Sequence, residues 1–334
     1  MKKLLVAASI AVMMSSLLTG CGTSKDTVLI YSASEDVINN ELAEALKRDL
    51  PQYDVVIQYQ GSGTLYSKLL AEGKNTDCDI VFDLEGCYAQ TLVEKQHGIF
   101  YNLKDYDFST FKEDILTYSD GTNYYFAPEC RTNVAVVYNK KILEENNLPI
   151  PTTYEELTDP MYKGLISITD PKSSGTGYTY YNTLVSEDGL EATLDYYDRL
   201  APNLKEIATS GTAPLKSTNR GETAIGFAML WEIIQYMQDN PDLGYTFLDK
   251  HSGYALYTFA MIDGREQNQA TKDVFDYMFN TFNRYHVEKY YPDAIYKDQK
   301  SYVENYPTDI PTIETMTGLF DANYKQNLLD AWRL

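Results

Sequence analysis

The stretch ITDPKSSGTGYTYYNTLV, residues 168–185, reads as the end of a strand, a loop of Pro171, Lys172, Ser173, Ser174, Gly175 and Thr176, and a helix opening near Gly177. A helix N-terminus presents unpaired backbone N–H groups and the positive end of the helix dipole, so an anion is stabilised there without any formal charge from the protein. Glycine lets the backbone approach the anion's oxygens, and Ser and Thr add hydroxyl donors. The tripeptide Ser-Gly-Thr recurs at Ser62-Gly63-Thr64 and at Ser210-Gly211-Thr212, each time ahead of a plausible helix. Three loops of this kind are expected to surround a tetrahedral oxyanion. Helix capping by the hydroxyls is the alternative reading of each.

Outward from this stretch, strands and helices alternate. TVLIYSA (27–33) is a buried strand, and Ile38, Leu42, Leu46 and Leu50 recur every fourth residue, which predicts an amphipathic helix over 36–50 closed by Pro51. YDVVIQYQ (53–60) is a second strand, and CDIVFD (78–83) is a third that runs into a loop at Leu84, Glu85 and Gly86. This alternation predicts a parallel sheet covered on both faces, with ligands held outside the carboxyl ends of the strands. Ser32, Ser34 and Glu35, Ser62, Gly63 and Thr64, and Asp83 and Glu85 then fall on one rim. Further on, residues 134–137 read as a strand ending in a turn at Asn139 and Lys140. Thr152 or Thr153 caps a short helix, ETAIGFAMLWEII (222–234) is a strand leading into a helix, and 267–282 is one more helix.

The N-terminus bears on compartment. Lys2 and Lys3, an apolar run over 4–18, and Leu18-Thr19-Gly20-Cys21 form a secretory signal resembling those of bacterial lipoproteins, in which Cys21 takes the lipid. Residues 1–20 are then signal peptide and 21–26 a lipid-anchored tether. The location is extracytoplasmic, at the bacterial cell membrane. Removing residues 1–20, whose only charges are Lys2 and Lys3, takes the chain from 334 residues and a net charge of −20 to 314 and −22. So acidic a surface repels nucleic acid. Cys78, Cys87 and Cys130 remain, with no metal-like spacing; a Cys78–Cys87 bridge is possible in an oxidising compartment, and free buried thiols are the preferred reading. His97, His251 and His286 show no paired spacing for zinc.

The lipobox, the strand ending YSA, the Gly-Ser-Gly-Thr loop, DIVFD, and above all PTTYEELTDPMYKGLISITDPKSSGTGY (151–178) are similar to the extracellular solute-binding proteins of bacterial ABC importers. The branch most resembled is that of the ferric-ion, phosphonate and sugar-phosphate receptors. The resemblance implies a type II periplasmic-binding-protein fold: two α/β lobes, each a mixed sheet flanked by helices, joined by crossover strands. The first lobe would hold 27–127 and 251–290, and the second 128–250 and 291–334, with the C-terminal residues bracing the second. Ferric-binding members carry adjacent tyrosines where this chain has Trp231 and Glu232, and indole is no ligand for ferric ion. With 30 tyrosines in the chain, adjacent pairs such as Tyr290-Tyr291 are expected, and packing is their default reading.

Among charged candidates, Arg131 offers a bidentate contact to phosphate or a salt bridge to a neighbouring acid. Trp231 is placed to stack on an organic body, and Glu35, Glu85 and Glu232 to receive an ammonium group. The chain has no Gly-x-Ser-x-Gly elbow, phosphate-cradling Gly-Lys loop or paired metal histidines, so an enzyme is not expected; a secreted hydrolase built on Ser174 is the reading from another class. The function expected is capture of a small anionic organic solute, a phosphonate or phosphate ester such as a 2-aminoethylphosphonate-like zwitterion, with a ferric or other metal-ion receptor as the alternative. Its partners would be the solute, a cognate ABC permease with its ATPase, and the membrane through the lipid alone. No cofactor and a monomer are expected.

Overall fold

The computed structural model describes residues 26–334, so the signal peptide, Cys21 and most of the tether lie outside the described residues. The first half of the fold is built from β1 (Thr27–Ser32), α1 (Asp36–Asp49), β2 (Asp54–Tyr59), α2 (Ser62–Glu72), β3 (Ile80–Glu85) and α3 (Gly86–Lys95). β1 pairs in parallel with both β2 and β3. α1 buries Ile38, Leu42, Ala45 and Leu46, the face its four-residue spacing marked out. No loop separates β3 from α3: the strand continues through Glu85 and the helix starts at Gly86.

One long strand, β4 (Ala127–Asn139), joins this half to the next. After it come α4 (Lys140–Glu145), β5 (Ile166–Thr169), α5 (Gly175–Asp188), α6 (Leu190–Leu200), β6 (Leu204–Ala208), α7 (Ala213–Asn219), β7 (Ile225–Met229), α8 (Leu230–Asp239) and β8 (Leu243–Thr246). β9 (Tyr254–Met261) returns to the first half, followed by α9 (Gln269–Tyr277), α10 (Asn283–Tyr290) and, near the C-terminus, α11 (Ala322–Ala331). The strand order is β2-β1-β3-β9-β4-β7-β5-β6, with β8 also on β4. β4 divides its edges by position. Ala127 to Asn133 pair antiparallel with β9, whereas Val134 to Asn139 pair with β7 and β8. Two backbone ladders thus share one strand, which is how two sheets come to face each other across a cleft.

Several boundaries differ from the sequence reading. The 139–140 turn is the start of α4, and Asn139 caps it by accepting from the Ile142 N–H. The helix expected over 267–282 is α9, then a wider π turn at Met278–Phe282, then α10. α5 opens at Gly175, two residues early, and is buried without a break from Thr176 to Val185. Gly177 permits this: a methyl group there would sit 2.5 Å from the Thr169 carbonyl oxygen, so only glycine lets the helix start lie against β5.

The C-terminal stretch expected to brace the second half touches both. Lys112 N–H donates to the Ile295 carbonyl, and Tyr296 stacks on Phe111 at 4.5 Å. α11 lies against α3, whereas Trp332 packs edge-on to Tyr181 and Tyr197.

Candidate solute-binding cleft

The carboxyl ends of the first-half strands face the helix starts of the second half, and two depressions form between them. The inner one, a cavity of about 80 Å³, is lined by Ser34, Glu35 and Asp83 from the first half and by Thr176, Thr212, Trp231 and Glu232 from the second. Cys130, Thr132 and Met229 close its floor, and Tyr257 and Tyr291 its remaining wall. The outer one, about 650 Å³ and open to solvent, is lined by Ser62, Gly63, Thr64 and Glu85, by Ser173, Ser174 and Gly175, and by Lys172 and Lys325. Most residues singled out in the sequence therefore fall into two groups, while Ser32, Arg131, Ser210 and Gly211 line neither depression.

Four helices, α1, α5, α7 and α8, begin at the inner cavity. Their N-cap residues, Glu35, Ser174, Thr212 and Met229, make no side-chain capping hydrogen bond. The same holds for Gly61 at the start of α2. The Ser and Thr hydroxyls of these loops are thus not consumed as caps. Thr176 and the 210–212 loop meet directly: a methyl group at Gly211 would lie 2.5 Å from Thr176 Oγ1 and 2.9 Å from Ser174 Oγ. Ser210 Oγ and Thr212 Oγ1 are 3.3 Å apart.

Three expected residues are placed otherwise. Ser32 is fully buried, and its hydroxyl donates to Asn39 Oδ1 and accepts from the Ser34 N–H, so it shapes the loop and does not face the cavity. Arg131 points away from the cleft, because along a strand successive side chains alternate faces and Cys130 and Thr132 face inward. Its guanidinium pairs with Asp114 at 3.2 Å and lies over the Tyr254 ring, the salt-bridge reading. Glu85 accepts from Lys325 Nζ at 2.5 Å, and Lys325 in turn lies over the Tyr88 and Tyr178 rings. That carboxylate is already paired and is not free for an ammonium group.

Sequence reasoning missed Tyr257, Tyr291, Thr132 and Cys130 as lining residues, and Lys325 altogether. Tyr291 was visible as half of a tyrosine pair, but nothing local distinguished it from packing. His286 and Glu129, both fully buried, form a contact of 2.6 Å behind the cavity. The described cysteines, Cys78, Cys87 and Cys130, are all free and buried.

The electrostatics of the inner cavity are unusual. Asp83 adopts φ 60° inside β3, where the register with β9 shifts between Val81 and Leu84. A left-handed non-glycine residue in a strand is strained, and here the irregularity sits at the floor of a cavity. Burial, and next the Glu129 carboxylate, raises the Asp83 pKa well above the ordinary carboxyl range. Burial pushes Glu232 up to about 8, with Glu35 adding to the effect and Lys216 opposing it. Glu35 is raised as well, chiefly by burial. Ligating atoms of Asp83, Glu129 and Cys130 lie within 4.8 Å of one another, the one such group among the described residues. Burial raises the Cys130 thiol, which disfavours the thiolate a metal would need.

Residues 41–283 match the profile of a family described as bacterial extracellular solute-binding protein. A Haemophilus influenzae protein is 24% identical over 263 residues, 78% of this chain and 73% of its own. The structure of the periplasmic binding protein AfuA from Actinobacillus pleuropneumoniae, with exogenous fructose-6-phosphate bound, superposes with a TM-score of 0.78 at 21% identity, covering 92% of this chain and 98% of that one. Iron-bound HitA from Pseudomonas aeruginosa gives 0.72 at 17%, covering 92% and 100%. At these identities the likeness speaks to the fold, which is the two-lobed α/β fold of type II periplasmic binding proteins.

Proposed function

The chain belongs to the bacterial extracellular solute-binding proteins, a family of extracytoplasmic receptors that serve ABC importers, and from that premise we propose that it captures a small anionic organic solute of the phosphonate or phosphate-ester class. One observation carries this reading: four helix starts whose N-cap residues make no side-chain capping hydrogen bond open onto one cavity, with the Thr176 and Thr212 hydroxyls in its lining. An oxyanion at Thr176 and Thr212 would be stabilised by helix dipoles and hydroxyl donors together. Both 2-aminoethylphosphonate and sugar phosphates fall within the class. AfuA's bound fructose-6-phosphate supports the phosphate-ester end of it.

In this reading 27–127 with 251–290 and 128–250 with 291–334 are the two lobes, and β4 and β9 form the hinge. Closure would strip water from the solute and present the closed form to the permease and its ATPase. The mature protein would be a monomer, held to the membrane by a lipid on Cys21. A thermal-shift screen tests the solute class, because a ligand that binds only the folded state raises the melting temperature. Phosphonates or phosphate esters should give the shift. A shift with polyols or metal ions alone sinks the reading.

A metal-ion receptor is the second reading, favoured by the grouping of Asp83, Glu129 and Cys130. The cavity also holds two phenols, Tyr257 and Tyr291, but burial raises the pKa of both, and Trp231 and Glu232 are not phenolate donors. Ferric citrate should therefore produce no tyrosinate-to-iron charge-transfer colour. Its appearance would establish the metal reading.

A further inference from the structure

Buried acids are ordinarily paired, because an uncompensated charge in a low-dielectric site is costly. Elsewhere the molecule obeys this. Glu85 has Lys325 at 2.5 Å, and Asp79 has the Leu29 N–H at 2.8 Å and Arg265 at 3.5 Å. The inner cavity does not. Glu35, Asp83 and Glu232 line it, Glu129 stands next to Asp83, and among the described residues no lysine or arginine lines it. Glu232 is 7% exposed and Glu129 0%, yet one carboxyl oxygen of each, Oε2, has no hydrogen-bond partner. Glu129 sits behind the cavity beside Asp83, but Glu232 lines it, and a buried acceptor left open there points to a donor that the protein itself does not supply.

We propose that the solute carries a cationic nitrogen in addition to its oxyanion, and that Asp83 is the residue that receives it, with Glu232 and Glu35 as flanking acceptors. This rests on reading the inner cavity as the solute site. Asp83 is singled out by position: the shift in β3 register turns its carboxyl onto the cavity floor, and Glu129, held at 2.6 Å by His286 Nε2, backs it. The walls suit an organic cation. Trp231, Tyr257 and Tyr291 present aromatic rings, whose faces attract an ammonium group. A bare metal ion fits less well, since Glu129 Oε1 is committed to His286, and Glu35 and Glu232 come from the starts of two different helices. The charges are also divided. Asp83 and Glu35 belong to the first half, and Glu232 with the hydroxyls of Thr176 and Thr212 to the second, so a short zwitterion held by them touches both halves. A purely anionic sugar phosphate would leave the acids opposed to it.

Calorimetric titration with 2-aminoethylphosphonate and with propylphosphonate, in which a methyl group replaces the ammonium, tests the inference directly. Wild-type protein should bind the amino compound roughly 10- to 100-fold more tightly, the range expected for a charged hydrogen bond. Asp83→Asn, which preserves shape and tolerates φ > 0, should erase that preference. Equal or tighter binding of propylphosphonate to wild-type protein overturns the cationic subsite while leaving the oxyanion reading intact. If neither phosphonate binds, the cationic subsite falls, and parallel titrations with a sugar phosphate and with zinc or ferric citrate show whether the oxyanion reading stands or a metal ion takes its place. Should Asp83→Asn not fold, Glu232→Gln serves instead. It should narrow the preference, and an undiminished preference overturns the proposal.

Discussion

The inner cavity and the outer depression lie side by side, share the 173–176 loop, and treat their acids in opposite ways. In the outer one, Glu85 is neutralised by Lys325, and the ammonium is further held over Tyr88 and Tyr178. In the inner one, Glu35, Asp83 and Glu232 meet no cation among the lining residues, and burial raises all three. The difference separates scaffolding from recognition. A charge the protein satisfies for itself locks elements together, here α11 to the end of β3, whereas an acid with no cation beside it, which burial favours in its protonated form, is available to an incoming group.

The strongest test of this contrast removes the donors shared by the two regions. Ser174→Ala with Thr176→Val should cost about two to four decades of affinity for the anionic solute if both hydroxyls reach an ionised oxygen, each being worth roughly 1.5–3 kcal/mol. Ser174 lines the outer depression and Thr176 the inner one, so the single variants sharpen the comparison: loss confined to Thr176→Val places the oxyanion wholly inside. A lowered melt with normal affinity would mean that the loop serves the fold alone.

Breaking the outer pair should be felt in stability. Lys325→Met strands the Glu85 carboxylate in a buried site and should cost about 3–5 kcal/mol in a denaturant melt. Adding Glu85→Gln should recover most of it. A neutral single variant would show that the pair does not hold α11.

In the inner cavity the corresponding change should have the opposite sign. Glu232 has a folded pKa of about 8, above its unfolded value, so the folded state holds the extra proton and stability falls as pH rises between the two values. Glu232→Gln should leave stability near pH 4 unchanged and raise it above pH 8, on the order of 1–3 kcal/mol. Melts of both proteins at pH 5 and pH 9 check this, and an unchanged gap between them across that range contradicts it.

The smallest expected effect on either region comes from the anchor. Cys21→Ser should leave folding and solute affinity unaltered while releasing the protein from cells into the wash. Retention of the variant at the membrane would refute lipid attachment at that cysteine.

Much of the fold was legible in the chain because its signals are local. The four-residue spacing of Ile38, Leu42 and Leu46, the alternation of strand and helix, and the small-residue loops before α2, α5 and α7 are each written within a dozen residues. The types of β1 to β3, α1, α2, α5 and α7 followed from these. Only the tertiary structure decided which loops meet. Thr176 reaches Gly211 because β5 and β6 pair in parallel and end side by side at Thr169 and Ala208, and Asp83 faces the cavity because β3 shifts register against β9. The two readings of Arg131 stayed open in the sequence for the same reason: its face depends on the pairing of β4 with β9, and one position along a strand reverses it. The partnership of Lys325 with Glu85 spans 240 residues, beyond any local pattern. Helix and strand formation depend on near neighbours along the chain, whereas the charge balance of a cavity depends on long-range packing that brings residues 35, 83, 129 and 232 together.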